Sequence, residues 1–221
     1  MEKGYGQGDP RIAEYVTRLF AQDDVVLGEI RARSQVRGLP DIAVSPMDGR
    51  HLEVLARLGN VRRAVEIGTL GGYSGVCLLR GMADGFLHAL ELDPECADVA
   101  RESFARAGFA SRARVTVGPA LTTLPSLVAE GPFDLVFVDA DKVSYPEYVE
   151  WAADNLRVGG VVICDNAFLF GEVIREPADA PNEARAILAM RRCHELLALG
   201  GRFVATILPT GEGLAVGVKV R

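Results

Sequence analysis

The 221-residue sequence predicts a doubly wound α/β fold built on a mostly parallel, seven-stranded sheet. Three observations predict it. From residue 61 onwards, short β-rich runs alternate with helical patterns, as in right-handed βαβ units. Apolar residues make up 49% of the chain, which is enough for a large core. Only PTGEG separates the last two β-rich runs, which is too short for a parallel crossover and predicts a terminal antiparallel hairpin.

Helical patterns precede the sheet. Apolar residues recur at helical spacing between residues 11 and 34, and a second amphipathic stretch runs from Met47 to Leu58. We expect a single domain over residues 1–221, in which residues 1–45 form an N-terminal helical extension.

Strands and helices then alternate. The β-rich runs are, in order, VRRAVEI, GFLHALEL, RARVTV, FDLVFVD, GGVVICD, RFVATIL and GLAVGVKV. The intervening helical patterns cover Ser74–Met82, Pro94–Ala107, Leu121–Ala129, Tyr145–Leu156 and Asn182–Leu199. Because ligands bind beyond the carboxyl ends of the strands in such sheets, we expect the functional residues at those ends.

Charge and composition argue against several classes of protein. Acidic residues outnumber basic ones 30 to 24, which argues against an ordinary nucleic-acid-binding protein but leaves a small RNA substrate open. No apolar run approaches the roughly 18 residues of a membrane helix, and the polar start MEKGYGQGDPR lacks the apolar segment of a signal peptide. The four scattered cysteines contain no CxxC pair, which predicts free thiols in a reducing cytoplasm.

The first strand ends in the glycine-rich turn EIGTLGGYS, just before a helix. Glycines there allow the backbone to approach a ligand closely and to present amides at the helix start. A dinucleotide fingerprint needs G-x-G-x-x-G, whereas Leu70 replaces the middle glycine. Glu66 would repel a pyrophosphate but suits the cationic amino-acid end of a nucleoside ligand. A turn without a ligand is the alternative.

The next two strands end in further candidates. Glu91 follows Gly68 by about 20 residues, where a carboxylate can accept hydrogen bonds from both ribose hydroxyls. Asp93 precedes Pro94 and predicts a helix N-cap instead. The third strand leads to the small-residue turn 118–120, which either lies against an adenine or forms an ordinary loop.

The fourth and fifth strands end in acidic residues, Asp139 and the pair Asp165-Asn166. Two carboxylates and one amide oxygen, with no His or Cys, form a set suited to Mg²⁺, or to Mn²⁺ or Ca²⁺. Lys142 can offset part of the negative charge and reach a substrate hydroxyl. Each aspartate alone is better explained as a strand-end cap, but the set together with Lys142 favours a cation.

Several of these motifs together resemble a known family. The runs are EIGTLGGYSG, HALELDPE, GPAL, FDLVFVDADKVSYPEY, LRVGGVVICDN and PTGEGLAVGVK. They resemble the metal-dependent S-adenosylmethionine (SAM) O-methyltransferases, the class I enzymes similar to catechol and caffeoyl-CoA O-methyltransferases. The resemblance covers residues 44–221 and implies a Rossmann-like sheet.

The resemblance implies a role for individual residues. It implies that the residues in contact with SAM are Val44, Glu66, Gly68, Thr69, Ser74, Glu91, Ala120 and Asp139. It implies a divalent cation, Mg²⁺ before Mn²⁺ or Ca²⁺, on Asp139, Asp165 and Asn166, and catalysis by Lys142. It further implies a small aromatic acceptor with vicinal hydroxyls and a homodimer, which we expect in the cytoplasm and without membrane contact.

One position departs from the family pattern. Caffeoyl-CoA enzymes carry Trp-Asn shortly after their Asp-Asn pair, whereas Phe170 stands at that asparagine position here. This predicts an apolar, aromatic-lined acceptor pocket. Residues 172–183 predict a loop over the pocket. Arg175 in this loop is a candidate for an acidic substrate, but a solvated arginine is the favoured interpretation.

Three alternatives to O-methylation of a catechol-like acceptor stay open. Some members of the same family methylate a hydroxylated uridine in tRNA. A nicotinamide-dependent oxidoreductase and a non-catalytic binding protein are further alternatives on a similar sheet.

Overall fold

The computed structural model describes residues 9–221. Residues 1–8, which carry the start of the predicted helical extension and most of the polar start, lie outside the described residues. Within residues 9–221, no helix is both long and apolar enough to cross a bilayer.

The described residues contain eight α-helices and a seven-stranded sheet. The helices are α1 (Pro10–Phe20), α2 (Val25–Val36), α3 (Pro46–Leu58), α4 (Tyr73–Gly81), α5 (Pro94–Arg106), α6 (Ala120–Leu127), α7 (Tyr145–Asn155) and α8 (Ala184–Ala198). The strands are β1 (Arg63–Ile67), β2 (Phe86–Glu91), β3 (Ala113–Val117), β4 (Phe133–Val138), β5 (Leu156–Cys164), β6 (Phe203–Leu208) and β7 (Leu214–Lys219). Short 3₁₀ helices cover Val128–Glu130, Lys142–Ser144, Leu169–Ile174 and Pro177–Asp179.

The sheet confirms the predicted fold class. Its strand order is β3-β2-β1-β4-β5-β7-β6. The first five strands are parallel, and β6 and β7 form the expected antiparallel hairpin, in which β7 pairs with β5 and β6 lies at the edge.

The N-terminal helical stretch is interrupted. The uniform pattern predicted over residues 11–34 divides into α1 and α2, because the side chain of Asp24 accepts a 3.0 Å hydrogen bond from the Leu27 amide and starts a new helix. Asp93 caps α5 as predicted, since it accepts hydrogen bonds from the amides of Glu95 and Cys96.

Both faces of the sheet are covered, so the strands are buried on both sides. Along β4, Leu135 and Phe137 face a core that contains α3, α4 and α5, while Val136 and Val138 face a core that contains α7 and α8. The alternation follows from the two-residue period of a strand. Polar residues such as Asp139 and Asp165 lie just beyond the ends of these buried strands.

Candidate active site

A cavity of about 920 Å³ lies beyond the carboxyl ends of the parallel strands. The predicted site residues in its wall are Val44, Gly68, Thr69, Ser74, Glu91, Ala120, Asp139, Lys142, Asp165 and Asn166. Residues from separate elements thus meet at one edge of the sheet, as expected for a doubly wound fold.

The first turn of the cavity wall depends on Gly68. Its φ of +86° is a left-handed conformation, and any Cβ at this position would overlap the carbonyl oxygen of Asp139. The close approach lets the turn after β1 lie directly against the end of β4, where the Asp139 amide donates a 2.9 Å hydrogen bond to the Ile67 carbonyl. A glycine is therefore required here to bring the two strand ends together.

Glu66 is fully buried behind this turn. Its two carboxylate oxygens accept hydrogen bonds from the hydroxyls of Ser74, at 2.6 Å, and Thr69, at 2.7 Å. Burial raises the pKa of Glu66 to about 7, with a smaller contribution from the charge of Asp139. Thr69 and Ser74 line the cavity, whereas Glu66 lies behind them and does not line it. Glu66 therefore orients two hydroxyls that face the cavity.

Glu91 fixes the same turn from β2. One of its oxygens accepts hydrogen bonds from the amides of Thr69, at 3.1 Å, and Leu70, at 2.8 Å. The other oxygen accepts a 3.0 Å hydrogen bond from the backbone amide of Asp93. Its side chain lies in the cavity wall and is only partly buried. The carboxylate therefore holds the turn while part of it faces the cavity.

Asp139, Asp165 and Asn166 follow the ends of β4 and β5, which pair in parallel with Val138 opposite Cys164. The Asp165 amide donates a 2.9 Å hydrogen bond to the Val138 carbonyl, so the two strand ends stay aligned. Burial raises the pKa of Asp165 to about 7, and the charge of Asp139 raises it further in the same direction.

This oxygen-rich corner is suited to a divalent cation. A bound cation would relieve the cost of holding the buried Asp165 carboxylate near that of Asp139. Within residues 9–221, no three His, Cys, Asp or Glu side chains form a compact metal cluster. The three predicted cation ligands do not form a cluster of this kind, because one of them, Asn166, contributes an amide oxygen.

Lys142 lies at the edge of this corner. Its Nζ donates hydrogen bonds to Asp139 Oδ1, at 3.1 Å, and to the hydroxyl of Tyr145, at 2.7 Å. Tyr145 is fully buried and donates in turn to the Val138 carbonyl, at 3.3 Å. The lysine is therefore held at a defined position, with 19% of its side chain still exposed toward the cavity side of the sheet.

Two aromatic side chains also line the cavity. They are Phe170, as predicted, and Tyr148. Phe170 has a left-handed φ of 53°, and its amide donates a 2.9 Å hydrogen bond to Glu212 in the β6–β7 turn. The structure favours the solvated alternative for Arg175, whose side chain is 47% exposed. Its guanidinium donates to the Glu172 carboxylate, at 2.6 Å, and to the Asp179 carbonyl, at 3.0 Å, and the side chain does not line the cavity.

Comparisons with known proteins identify the family of this chain. A family model described as O-methyltransferase matches residues 18–220. The chain belongs to the O-methyltransferase family. It is 44% identical over 172 residues to a catechol O-methyltransferase of Mycobacterium tuberculosis, a match that covers 77% of this chain and 78% of the relative. A catechol O-methyltransferase of Niastella koreensis is 37% identical over 212 residues, covering 94% and 91% of the two chains.

Solved structures of O-methyltransferases share the fold. The Bacillus cereus O-methyltransferase in complex with SAH is 37% identical, covers 95% of this chain and 97% of its own, and has a TM-score of 0.85. The O-methyltransferase TomG of Streptomyces achromogenes, involved in tomaymycin synthesis and solved with SAM, is 36% identical, covers 96% of both chains, and has the same TM-score of 0.85. Membership of this family confirms the predicted resemblance and decides against the nicotinamide-dependent oxidoreductase and the non-catalytic protein.

Two contacts in this O-methyltransferase site were not predicted from the sequence. Tyr145 positions Lys142, and Tyr148 donates a 2.7 Å hydrogen bond to Asp141, which also caps the 3₁₀ turn through the Ser144 amide. The run DADKVSYPEY does contain both tyrosines, at three and six residues after Lys142. Their spacing on one helical face was the signal that could have identified them.

Proposed function

We propose that this protein transfers a methyl group from SAM to one hydroxyl of a small catechol-like aromatic acceptor, with a divalent cation, Mg²⁺ before Mn²⁺ or Ca²⁺, at the site. The observation that carries the proposal is that Lys142, Asp139 and Asp165 meet in the same cavity as the glycine turn and Glu91. A proton-accepting group, an oxygen-rich corner and a nucleoside-sized cavity are thus adjacent.

SAM would occupy the part of the cavity beside the glycine turn. Thr69 and Ser74 face its methionine part, Glu91 its ribose, and Ala120 its adenine, with Val44 covering it and Gly68 allowing the close approach. Glu66 acts through the two hydroxyls that it orients. The relatives solved with SAM or SAH support this assignment.

The residues that would hold the cation are Asp139, Asp165 and Asn166. When bound, a divalent cation lowers the pKa of a coordinated hydroxyl and orients two vicinal oxygens. The oxygen-only donor set and the burial of Asp165 beside the charge of Asp139 support this part of the proposal.

Lys142 would then move the proton. As the free amine, its Nζ, held by Asp139 and Tyr145, takes the proton of the reacting hydroxyl. The freed oxygen pair forms the new O–CH₃ bond while the methyl–sulfur bond breaks, and its electrons remain on sulfur to leave neutral SAH. Because charge is neutralised as the methyl group moves, positioning by the cavity supplies most of the acceleration.

The chain is further proposed to act as a cytoplasmic homodimer. On α1, Ile12, Tyr15, Leu19 and Phe20 are between 43% and 57% exposed, and such an apolar face is typical of an interaction surface. The four cysteines are free and buried, which suits a reducing compartment.

An acceptor panel tests this function. Purified protein is supplied with methyl-labelled SAM, Mg²⁺ and either catechol, phenol, a catechol with a charged side chain, or hydroxyuridine-bearing tRNA. We expect label in the catechols and none in phenol, which lacks the second oxygen. Label in tRNA alone would show that the acceptor is RNA. Label in none of the four would contradict the proposed acceptor class.

A further inference from the structure

Three side chains at the cavity form a closed cluster, and two of them, Arg31 and Tyr73, line the cavity themselves. Arg31 Nε donates a 2.8 Å hydrogen bond to Asp23, and the hydroxyl of Tyr73 donates to the other oxygen of the same carboxylate at 2.5 Å. The guanidinium carbon of Arg31 lies 4.0 Å from the centroid of the Tyr73 ring. Each member therefore contacts the other two, and Tyr73 is almost fully buried.

The cluster joins two parts of the cavity wall. Tyr73 opens α4, immediately after the glycine turn and next to Ser74. Nη2 of Arg31 donates a 2.7 Å hydrogen bond to the Val44 carbonyl, in the segment between α2 and α3. Residues 39–45 of this segment all line the cavity. One guanidinium thus connects the turn beneath the proposed SAM site to the segment above it.

A second contact brings the same helix onto the turn. Any Cβ at Gly71 would overlap the hydroxyl of Ser34 on α2 and would lie 3.5 Å from Leu39. The Leu39 amide donates a 2.9 Å hydrogen bond to the Ser34 carbonyl and directs the chain from α2 into the covering segment. The position of α2 therefore determines where the covering segment begins.

We propose that Arg31 is a positioning residue that fixes the Val44 segment over SAM, so that cofactor affinity depends on it while the chemical step does not. The inference rests on the proposed function, since SAM is the ligand covered. Arginine is suited to the role because its planar fork pairs with Asp23 and Val44 at once while its face stacks on Tyr73. A lysine ammonium lacks the fork and the stacking face.

The test compares Arg31→Met and Arg31→Lys with the wild type. Calorimetry measures the affinity for SAH, and hydrogen exchange measures protection of residues 39–45 with and without SAH. We expect Arg31→Met to bind SAH at least about tenfold more weakly and to exchange faster in that segment, with kcat at saturating SAM within about twofold. Arg31→Lys should recover less than half of the SAH affinity that Arg31→Met loses, when the changes are compared as log Kd.

A matched control lies on the same helix. Arg37 caps the end of α2 and pairs at 3.3 Å with Glu102 across an exposed surface, so Arg37→Met should leave SAH affinity and exchange unchanged. Wild-type affinity in Arg31→Met would overturn the inference. A uniform rise in exchange across the sheet, without a specific change at residues 39–45, would overturn it too, because that result indicates a purely structural role. Absence of SAH binding by the wild type would overturn the proposed function itself.

Discussion

Asp139 follows Val138 at the end of β4, and Asp165 follows Cys164 at the end of β5. Val138 and Cys164 lie opposite each other in the parallel pairing of the two strands. The Asp165 amide continues the ladder by bonding to the Val138 carbonyl at 2.9 Å. Lys142 then donates to Asp139 at 3.1 Å. Sheet register therefore sets the spacing between the proposed cation ligands and the proposed base.

Replacing Lys142 tests the proton-transfer role. In Lys142→Met we expect kcat to fall by roughly 10² to 10⁴-fold, because general-base catalysis contributes about that much. Lys142→Arg should be equally slow, since its guanidinium keeps the charge but does not accept a proton at neutral pH. Stopped-flow single turnovers measure the step. An arginine variant with wild-type kcat would show that the residue supplies only charge.

Replacing Asp165 tests the cation site separately from catalysis. Asp165→Asn keeps the size of the side chain but removes a negative charge, so the affinity for Mn²⁺ should fall by at least about tenfold. Calorimetric titration with Mn²⁺ measures it, and SAH affinity should change by less than about threefold. The matched control is Asp98→Asn, a surface carboxylate on α5 paired only with Arg101, which should leave Mn²⁺ affinity unchanged.

Glu66 predicts a specific pH dependence of stability. Its pKa is about 7 in the folded state and 4.5 as its ordinary value, so the folded protein holds this proton more tightly. Its stabilising contribution is complete below pH 4.5 and is lost as the pH rises through 7. Relative to Glu66→Gln, which stays neutral, the wild type should lose up to about 3 kcal/mol of unfolding free energy between pH 4.5 and 8.

Urea unfolding at several pH values measures this difference. The matched control is Glu95→Gln, on the exposed first turn of α5, and the effect of Glu66 is the excess over this control at the same pH values. A constant difference between the wild type and Glu66→Gln across this range would contradict the raised pKa of the buried Glu66 carboxyl.

Tyr145→Phe tests how Lys142 is held. The change removes a 2.7 Å hydrogen bond to Lys142 and leaves the buried ring in place. We expect kcat to fall by about 2- to 10-fold, the range of one net hydrogen bond, and the pH profile of kcat to shift. Affinity for SAH should stay within about twofold. A fall in stability with an unaltered kcat and pH profile would reduce Tyr145 to a structural role.

The sheet and its strand ends were predictable because they depend on short-range pattern. The short β-rich runs identified all seven strands, and the motif residues Asp139 and Asp165 followed from where those runs stop. The division of the N-terminal stretch was missed because the apolar pattern continues across Asp24, whose capping bond depends on geometry.

Side-chain partners were not predictable, whether near or far along the chain. The partners of Arg175 are only three and four residues away, at Glu172 and Asp179, but only the folded loop brings these acceptors to its guanidinium. Likewise, the Asp23–Arg31–Tyr73 cluster joins residues up to 50 positions apart, for which a single sequence gives no pairing signal.

Cation-assisted methyl transfer to a catechol oxygen is tested by the initial rate of transfer from labelled SAM to catechol. The rate is followed in Mg²⁺, after addition of EDTA, and after Mg²⁺ is restored in excess. We expect transfer in Mg²⁺, loss of at least about 99% of the rate in EDTA, and full recovery, because the cation lowers the acceptor pKa. A rate unchanged by EDTA would contradict it.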